Sequence, residues 1–215
     1  MDRIKVELLG IHGLEAAHKA VKKPYKNEKA DGRKLLHKVA KIMKHESVME
    51  HIIFQFNVMG SSRLELQEHM RHRIASPTVE STRYALKRMV EELEAMNQYD
   101  FRTIERLIYK YTVFPPWMLD AKNSTYNLYL RVMNKRFEQL KIFAEVYKKK
   151  GAGVAKYELI ESLRTSLVWT INLRSFLNFI KLRTANNAHF EIRHIAQLMT
   201  DILCENDEIK ELIRE

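Results

Sequence analysis

The stretch of this chain densest in groups able to do chemistry is Arg71-His72-Arg73-Ile74-Ala75-Ser76-Pro77-Thr78-Val79-Glu80-Ser81-Thr82-Arg83-Tyr84. Two guanidinium groups flank an imidazole, and a further arginine follows where the chain turns back. Cations at a helix C-terminus complement its dipole by ~0.3–1 kcal/mol each, so a bare Arg-His-Arg reads first as a helix end. The hydroxyls of Ser76, Thr78, Ser81 and Thr82 change that reading, because forked guanidinium groups beside short hydroxyl donors are suited to phosphate. Such a loop can hold a nucleotide without a glycine-rich turn. The six glycines are scattered, and neither GxGxxG nor GxxxxGK[ST] occurs.

Other reactive types are less persuasive. His45 and His51 are six apart, whereas two metal ligands on one helix face need a spacing of three or four. His69 and His72 have that spacing but lack a third ligand nearby, so no metal site is expected. His189 and His194 read as surface positions of a terminal helix. Cys204, the only cysteine, lies in the apolar run Ile202-Leu203-Cys204 and reads as a small buried hydrophobe. Trp117 and Trp169 read as packing residues.

The elements that must position these groups follow from periodicity. Arg3 to Leu9 suggests an edge strand. Arg33 to Lys44 reads as a helix with Leu35, Leu36, Val39, Ala40 and Met43 on one face. From Glu50 to Met59 the period becomes two, with Ile52, Phe54, Phe56 and Val58 alternating with polar or outward positions, as in a half-buried strand. Gly60-Ser61-Ser62 ends it, and a helix runs on to about Met70. Pro77 drives Ser76 to extended geometry, so Arg71 to Thr82 is expected as a structured loop. Helices follow at Tyr84 to Met96 and Phe101 to Tyr111, then a break at Pro115-Pro116. A long amphipathic helix carries Tyr126, Leu130, Met133, Phe137, Leu140, Ala144 and Tyr147, and Gly151 and Gly153 close it. A short helix from Ala155 to Leu163, an extended Ser166 to Ile171, a helix from Ser175 to Leu182 and two terminal helices complete the chain. The class is α+β and helix-rich, and residues 1–215 are expected as a single domain, with no internal repeat or long linker.

Three segments together resemble one family. Arg71-His72-Arg73, seven residues and Ser81 match the signature of the flavin-dependent thymidylate synthases, and Arg83-Tyr84 extend the match. Asn172-Leu173-Arg174-Ser175-Phe176-Leu177-Asn178-Phe179-Ile180-Lys181-Leu182-Arg183 is similar to the family's Asn-x-Arg-Ser-x-x-Asn-Phe-x-x-Leu-Arg block. His45-Glu46-Ser47-Val48-Met49-Glu50-His51 looks like its His-Glu-[Ser/Thr]-x-x-Glu-His element. The chain departs from the family pattern at Thr78 and Val79, which stand where the fuller motif has Asn-Glu, with Glu80 one place late. Lys156 stands where the family has an arginine for the nucleotide phosphate, which keeps charge but loses the planar fork. The family's amino-terminal flavin contact has no counterpart in Ala16 to Tyr25.

The resemblance implies a twisted antiparallel sheet flanked by helices, assembled as a homotetramer with active sites shared between subunits. It implies FAD as cofactor, NADPH as reductant, methylenetetrahydrofolate as carbon donor, and dUMP as the substrate converted to dTMP. By position, His45, Ser47, Arg71, His72, Arg73, Val79, Asn172, Arg174 and Asn178 are expected at FAD. Glu68, Arg71, Val79, Glu80, Ser81, Thr82, Arg83, Lys156 and Arg183 are expected at dUMP, with Ser81 and Arg83 coming from another subunit. Arg183 is the expected catalytic group, and no cysteine nucleophile is implied.

Composition sets the outer bounds. With 215 residues, 46% hydrophobic, the chain can bury a sizeable core. No apolar run approaches the ~20 residues that span a bilayer, so no membrane association is expected. Met1-Asp2-Arg3-Ile4-Lys5-Val6 lacks the apolar centre of a secretory signal, and a cytoplasmic location is expected. The net charge of +10 attracts anions, and several phosphorylated ligands in one cavity account for part of it without nucleic acid. Two other readings stay open at this point. A helical nucleic-acid-binding protein would use Arg71 to Arg83 on phosphates and be colourless. A non-catalytic scaffold would bind FAD and turn over no dUMP.

Overall fold

A computed structural model describes residues 4–96, 100–119 and 125–214. The described residues divide into two compact units, one drawn from 4–59, 67–78 and 167–214, the other from 60–66 and 79–166.

The first unit opens with strand β1 (Lys5–His12), helix α1 (Leu14–Ala20) and helix α2 (Gly32–His37), which widens into a π-turn over Lys38–Ile42. A 3-10 turn (Glu46–His51) leads into β2 (Ile53–Ser62), then α3 (Arg63–His69) and β3 (Ala75–Val79). In the other unit are α4 (Thr82–Glu94), α5 (Phe101–Tyr111), α6 (Pro116–Leu119), α7 (Tyr126–Lys150), α8 (Ala152–Ala155) and a 3-10 turn (Lys156–Glu158). β4 (Arg164–Asn172) follows, and the first unit is completed by α9 (Leu173–Arg183), α10 (Phe190–Leu203) and α11 (Asp207–Ile213). The four strands form one sheet in the order β1-β2-β4-β3, with β1 antiparallel to β2. An antiparallel sheet flanked by helices is thus the architecture.

The period of two in β2 sets which side faces inward. Ile52, Phe54, Phe56 and Val58 are each fully buried, as their alternation required. Phe176 of α9 meets Phe54 edge-on at 5.5 Å and stacks on Phe56 at 5.9 Å, fixing α9 to the sheet. α10 packs against α9 and β1. Between β1 and α1 the chain turns through Gly13 at φ 83°, where a Cβ would lie 1.9 Å from the His51 carbonyl oxygen. Trp169 is wholly buried, as expected of a packing residue, whereas the side chain of Trp117 lies outside the described residues, as does Arg3.

The second unit is helical. Leu86, Met89, Val90 and Leu93 of α4 and Leu107 and Ile108 of α5 join Met133, Phe137, Leu140 and Phe143 of α7 in one core. Arg136 of α7 donates to the Thr112 hydroxyl and the Val113 carbonyl, both at 2.9 Å, with its guanidinium over the Phe114 ring. Burial lowers it to about 10.

Several expectations need correction. β1 runs on to His12 past an irregularity between Leu8 and Gly10. Gly60-Ser61-Ser62 does end β2, but as its last three residues rather than as a break after Met59, and the Ser62 hydroxyl accepts from Glu65 N at 3.0 Å to start α3 directly. Pro77 sits inside a strand rather than a loop, because β3 is the outermost strand and an edge position does not require its missing N–H. The helix expected over Arg33 to Lys44 loses α register at Lys38, so Met43 is exposed instead of buried. The helix expected from Ala155 to Leu163 is α8 plus a 3-10 turn that ends at Glu158. Cys204 is the half-buried C-cap of α10, and His189 and His194 are half-buried rather than on the surface.

Candidate active site

The site is built on α9. Asn172 caps it, its side-chain oxygen accepting from Ser175 N at 2.8 Å, and Leu173 N is held by the Ile52 carbonyl at 2.8 Å. Leu173, Phe176 and Phe179 bury one stripe of the helix. Arg174 and Asn178, four apart, share an exposed face, while Arg183 ends the helix half a turn round from Arg174. Both arginines line one cleft of about 690 Å³, together with Arg71, His72, Arg73 and Asn178.

The two arginines are held differently. Arg174 is half exposed and pairs with Glu50 at 2.6 Å and Glu46 at 3.5 Å, carboxylates of the 3-10 turn before β2. Those carboxylates, chiefly through the Glu50 hydrogen bond, raise its already high pKa. Arg183 is only 14% exposed and makes three contacts. It donates from Nη1 to Glu68 Oε2 at 2.7 Å, from Nη2 to the Glu68 carbonyl at 3.1 Å and from Nε to His72 Nε2 at 2.9 Å. These three contacts fix the guanidinium fork and use three of its five N–H bonds, leaving two uncommitted on a residue that lines the cleft.

His72 lies between polar and apolar neighbours. Its ring stands edge-on to Phe179 at 4.9 Å, next to the Trp169–Phe179 pair. Burial, then the Arg183 cation, pushes its pKa down to about 4. Arg183 always donates, so His72 Nε2 must accept, which requires a neutral ring carrying its proton on Nδ1. Glu68 also meets Arg71 at 3.3 Å and so spans two cations. Arg71 and Arg73 are exposed on either side of the inward-facing His72.

The remaining expected residues are placed as follows. His45 and Ser47 are exposed on the 3-10 turn that carries Glu46 and Glu50, outside the cleft lining. Val79 is half-buried at the end of β3, and Glu80 N donates to the Ser166 carbonyl at 2.8 Å. Ser81 is the N-cap residue of α4, makes no side-chain capping bond and is exposed; Thr82 and Arg83 form the first turn. Lys156 is exposed at the start of the 3-10 turn that follows α8, and α8 packs on α4. Five residues not expected from the sequence also line the cleft: Glu46, Glu50, Ile74, Ser175 and Leu182. Glu46 and Glu50 were findable, being four apart in the block before β2. Among the described residues no group of three or more His, Cys, Asp or Glu is placed to hold a metal ion, and no helix is long and apolar enough to cross a membrane.

The fold is α+β, and a cleft that gathers cations from α9 and from the turn after α3 is suited to an anionic ligand. The family description "Thymidylate synthase complementing protein" matches residues 12–207. The flavin-dependent thymidylate synthase of Wolinella succinogenes is 34% identical over 181 residues, covering 82% of this chain and 81% of that protein. The Helicobacter pylori enzyme of the same name is 35% identical over 171 residues, 80% of this chain and 76% of its own. A crystal structure of thymidylate synthase X from Helicobacter pylori with FAD and dUMP superposes with a TM-score of 0.77 at 28% identity, over 99% of this chain and all of that one. A second such complex gives 0.78 at 29% identity. The chain therefore belongs to the thymidylate synthase complementing protein family.

Proposed function

We propose that the chain is a flavin-dependent thymidylate synthase that converts dUMP to dTMP, with FAD as cofactor, NADPH as reductant and methylenetetrahydrofolate as carbon donor. The observation that carries this reading is the fixed guanidinium of Arg183, locked by Glu68 and His72 at the wall of the cleft.

The residues present fit FAD. Arg71, Arg73 and Arg174 supply cations for its pyrophosphate and Asn178 a neutral donor, while Ile74 and Leu182, 72% and 52% exposed, offer apolar surface to a flat ring. Asn172 sets the entry of α9, and His45, Ser47 and Val79 complete the proposed contacts. Bound FAD supplies the hydride that completes the methyl group.

The chain's own residues prepare the substrate. Carbon–carbon bond formation at C5 of uracil requires electron density to move into the ring, and the N3/O4 edge carries the developing negative charge. Arg183 stabilises that charge through the two N–H bonds left by Glu68 and His72. Glu68 positions it, and neutral His72 holds Nε without adding a competing positive charge. Ser81, Thr82 and Arg83 begin a 13-residue helix, whose free amide groups, uncommitted Ser81 hydroxyl and Arg83 guanidinium suit the nucleotide phosphate. Lys156 adds charge, and Val79 and Glu80 shape the approach. Residues 1–215 act as a single domain in this reading, and the functional form is a homotetramer whose sites draw Ser81 and Arg83 from a second subunit.

The test is spectroscopic. Purified protein supplemented with FAD should show bound flavin absorption, and Arg174→Ala should lose it by removing a cation from the proposed pyrophosphate site. An Arg174→Ala variant that folds and keeps FAD at unchanged affinity removes this helix from the cofactor site.

A further inference from the structure

A second cation-rich cleft lies in the same unit, and it shares no lining residue with the cleft around Arg183. It is formed by α2 with its π-turn on one side and α11 on the other, and encloses about 890 Å³. That volume falls within the ~300–1,000 Å³ usual for small-molecule pockets. Arg33, His37, Lys41, Lys44, Lys210 and Arg214 line it against two carboxylates, Asp207 and Glu211. Glu211 is committed to Arg33 at 2.7 Å, and His18 is bonded to Glu208 on the same helix, so α11 is tied to α1 and α2 by charged contacts. Lys34 and Lys38 border the adjoining hollow on Arg33.

The backbone here is as unusual as the charge. A π-turn over Lys38–Ile42 is a rare helical form, found mostly as single turns and often where a site needs a side chain re-aimed. Two residues later Lys44 has φ 58°, one of only two non-glycine residues with positive φ among the described residues. Its exposed side chain lines the cleft. Holding a lysine in the left-handed region is a strain, and gathering like charges adds to it. The π-turn keeps Val39 and Ala40 buried but leaves Ile42 68% exposed, and Met43 beside it is 40% exposed.

We propose that the cleft between the α2–π segment and α11 is a binding site for a small molecule bearing two or more phosphates. The wall has no Phe, Tyr or Trp, so it offers no stacking platform for the bases of a single strand. Asp207 and Glu211 on the same wall would repel a continuous phosphate backbone, whereas a compact polyanion can be met by Lys44, Lys210 and Arg214. Recognition is therefore of the phosphates themselves.

Calorimetric titration of the full-length protein with inorganic tripolyphosphate at low salt, in saturating FAD and dUMP so that the cleft around Arg183 is filled, tests this. Saturable binding at one per chain is expected, and Lys44→Asn with Lys210→Gln should weaken it by about tenfold or more. Asn tolerates the left-handed backbone at position 44, so the loss reports charge. Arg214→Gln, one residue beyond α11, repeats the test without touching a helix, and thermal melting checks that each variant is folded. Arg71→Ala, in the other cleft, should leave tripolyphosphate binding unchanged. Absence of saturable binding, equal affinity in the folded cleft variants, or loss in Arg71→Ala alone overturns the proposal. So does poly(dT) that displaces tripolyphosphate through Lys44 and Lys210 with affinity rising with strand length, which would assign the cleft to nucleic acid.

Discussion

His72 shows how a single residue links the fold to the chemistry. Its ring is a core group on one side, against Phe179, and an acceptor on the other, for Arg183. Above the ordinary imidazole value of 6.5 the ring is neutral in both folded and unfolded chains, and its contribution to stability is complete. Between 6.5 and about 4 the unfolded chain binds a proton that the folded chain refuses. Stability therefore rises with pH across that window and is lost as pH falls through it. Urea denaturation from about pH 7 down to about pH 5 should show a steeper loss for the native sequence than for His72→Asn; equal slopes would mean that His72 is not held neutral. That Arg71, Arg73, Arg174 and Arg183 share one cleft was legible because they stand in recognisable blocks. The locking of Arg183 was not, since its partners His72 and Glu68 are 111 and 115 residues away and no local spacing reports such a contact.

At the scale of elements, α9 and β2 carry the account together. Their periods, 3.6 and 2, were readable because each buries a continuous apolar stripe: Leu173, Phe176 and Phe179 on one, Phe54, Phe56 and Val58 on the other. Phe176 touches both phenylalanines of the strand, so Phe176→Ala removes the contact that seats α9. It should cost roughly 3–5 kcal/mol of stability by denaturant titration, and should loosen flavin binding with it. A cost under about 1 kcal/mol would mean that α9 is seated by other contacts. The elements that escaped sequence reading did so for physical reasons. β3 contains Pro77, which signals a loop unless the strand is known to be at an edge, and edge position is a tertiary fact. The π-turn over Lys38–Ile42 shifts the helical face by one residue, and a window of apolar residues averages that shift away.

For the whole molecule, the proposal requires more than one chain per site, because Ser81 and Arg83 are assigned to a second subunit. A tetramer is expected by light scattering, and mixing Arg71→Ala with Ser81→Ala chains, each inactive alone, should restore part of the activity through sites that receive both native groups. Activity that never recovers in a mixed assembly shown to form would place Arg71 and Ser81 in one chain's contribution. The family relationship accounts for the arrangement of the chain from residue 12 to 207; the chemistry is the further claim. The most direct measurement of it is dTMP formation from dUMP with FAD, NADPH and methylenetetrahydrofolate, run on the native chain and on Arg183→Ala with flavin content measured in both. The account predicts dTMP from the native protein and a loss of about a hundredfold or more in Arg183→Ala at unchanged flavin content, the usual scale for removing a donor that stabilises developing charge. Flavin-loaded native protein that forms no dTMP, or an Arg183→Ala variant that forms it at the native rate with saturating dUMP, would contradict the account.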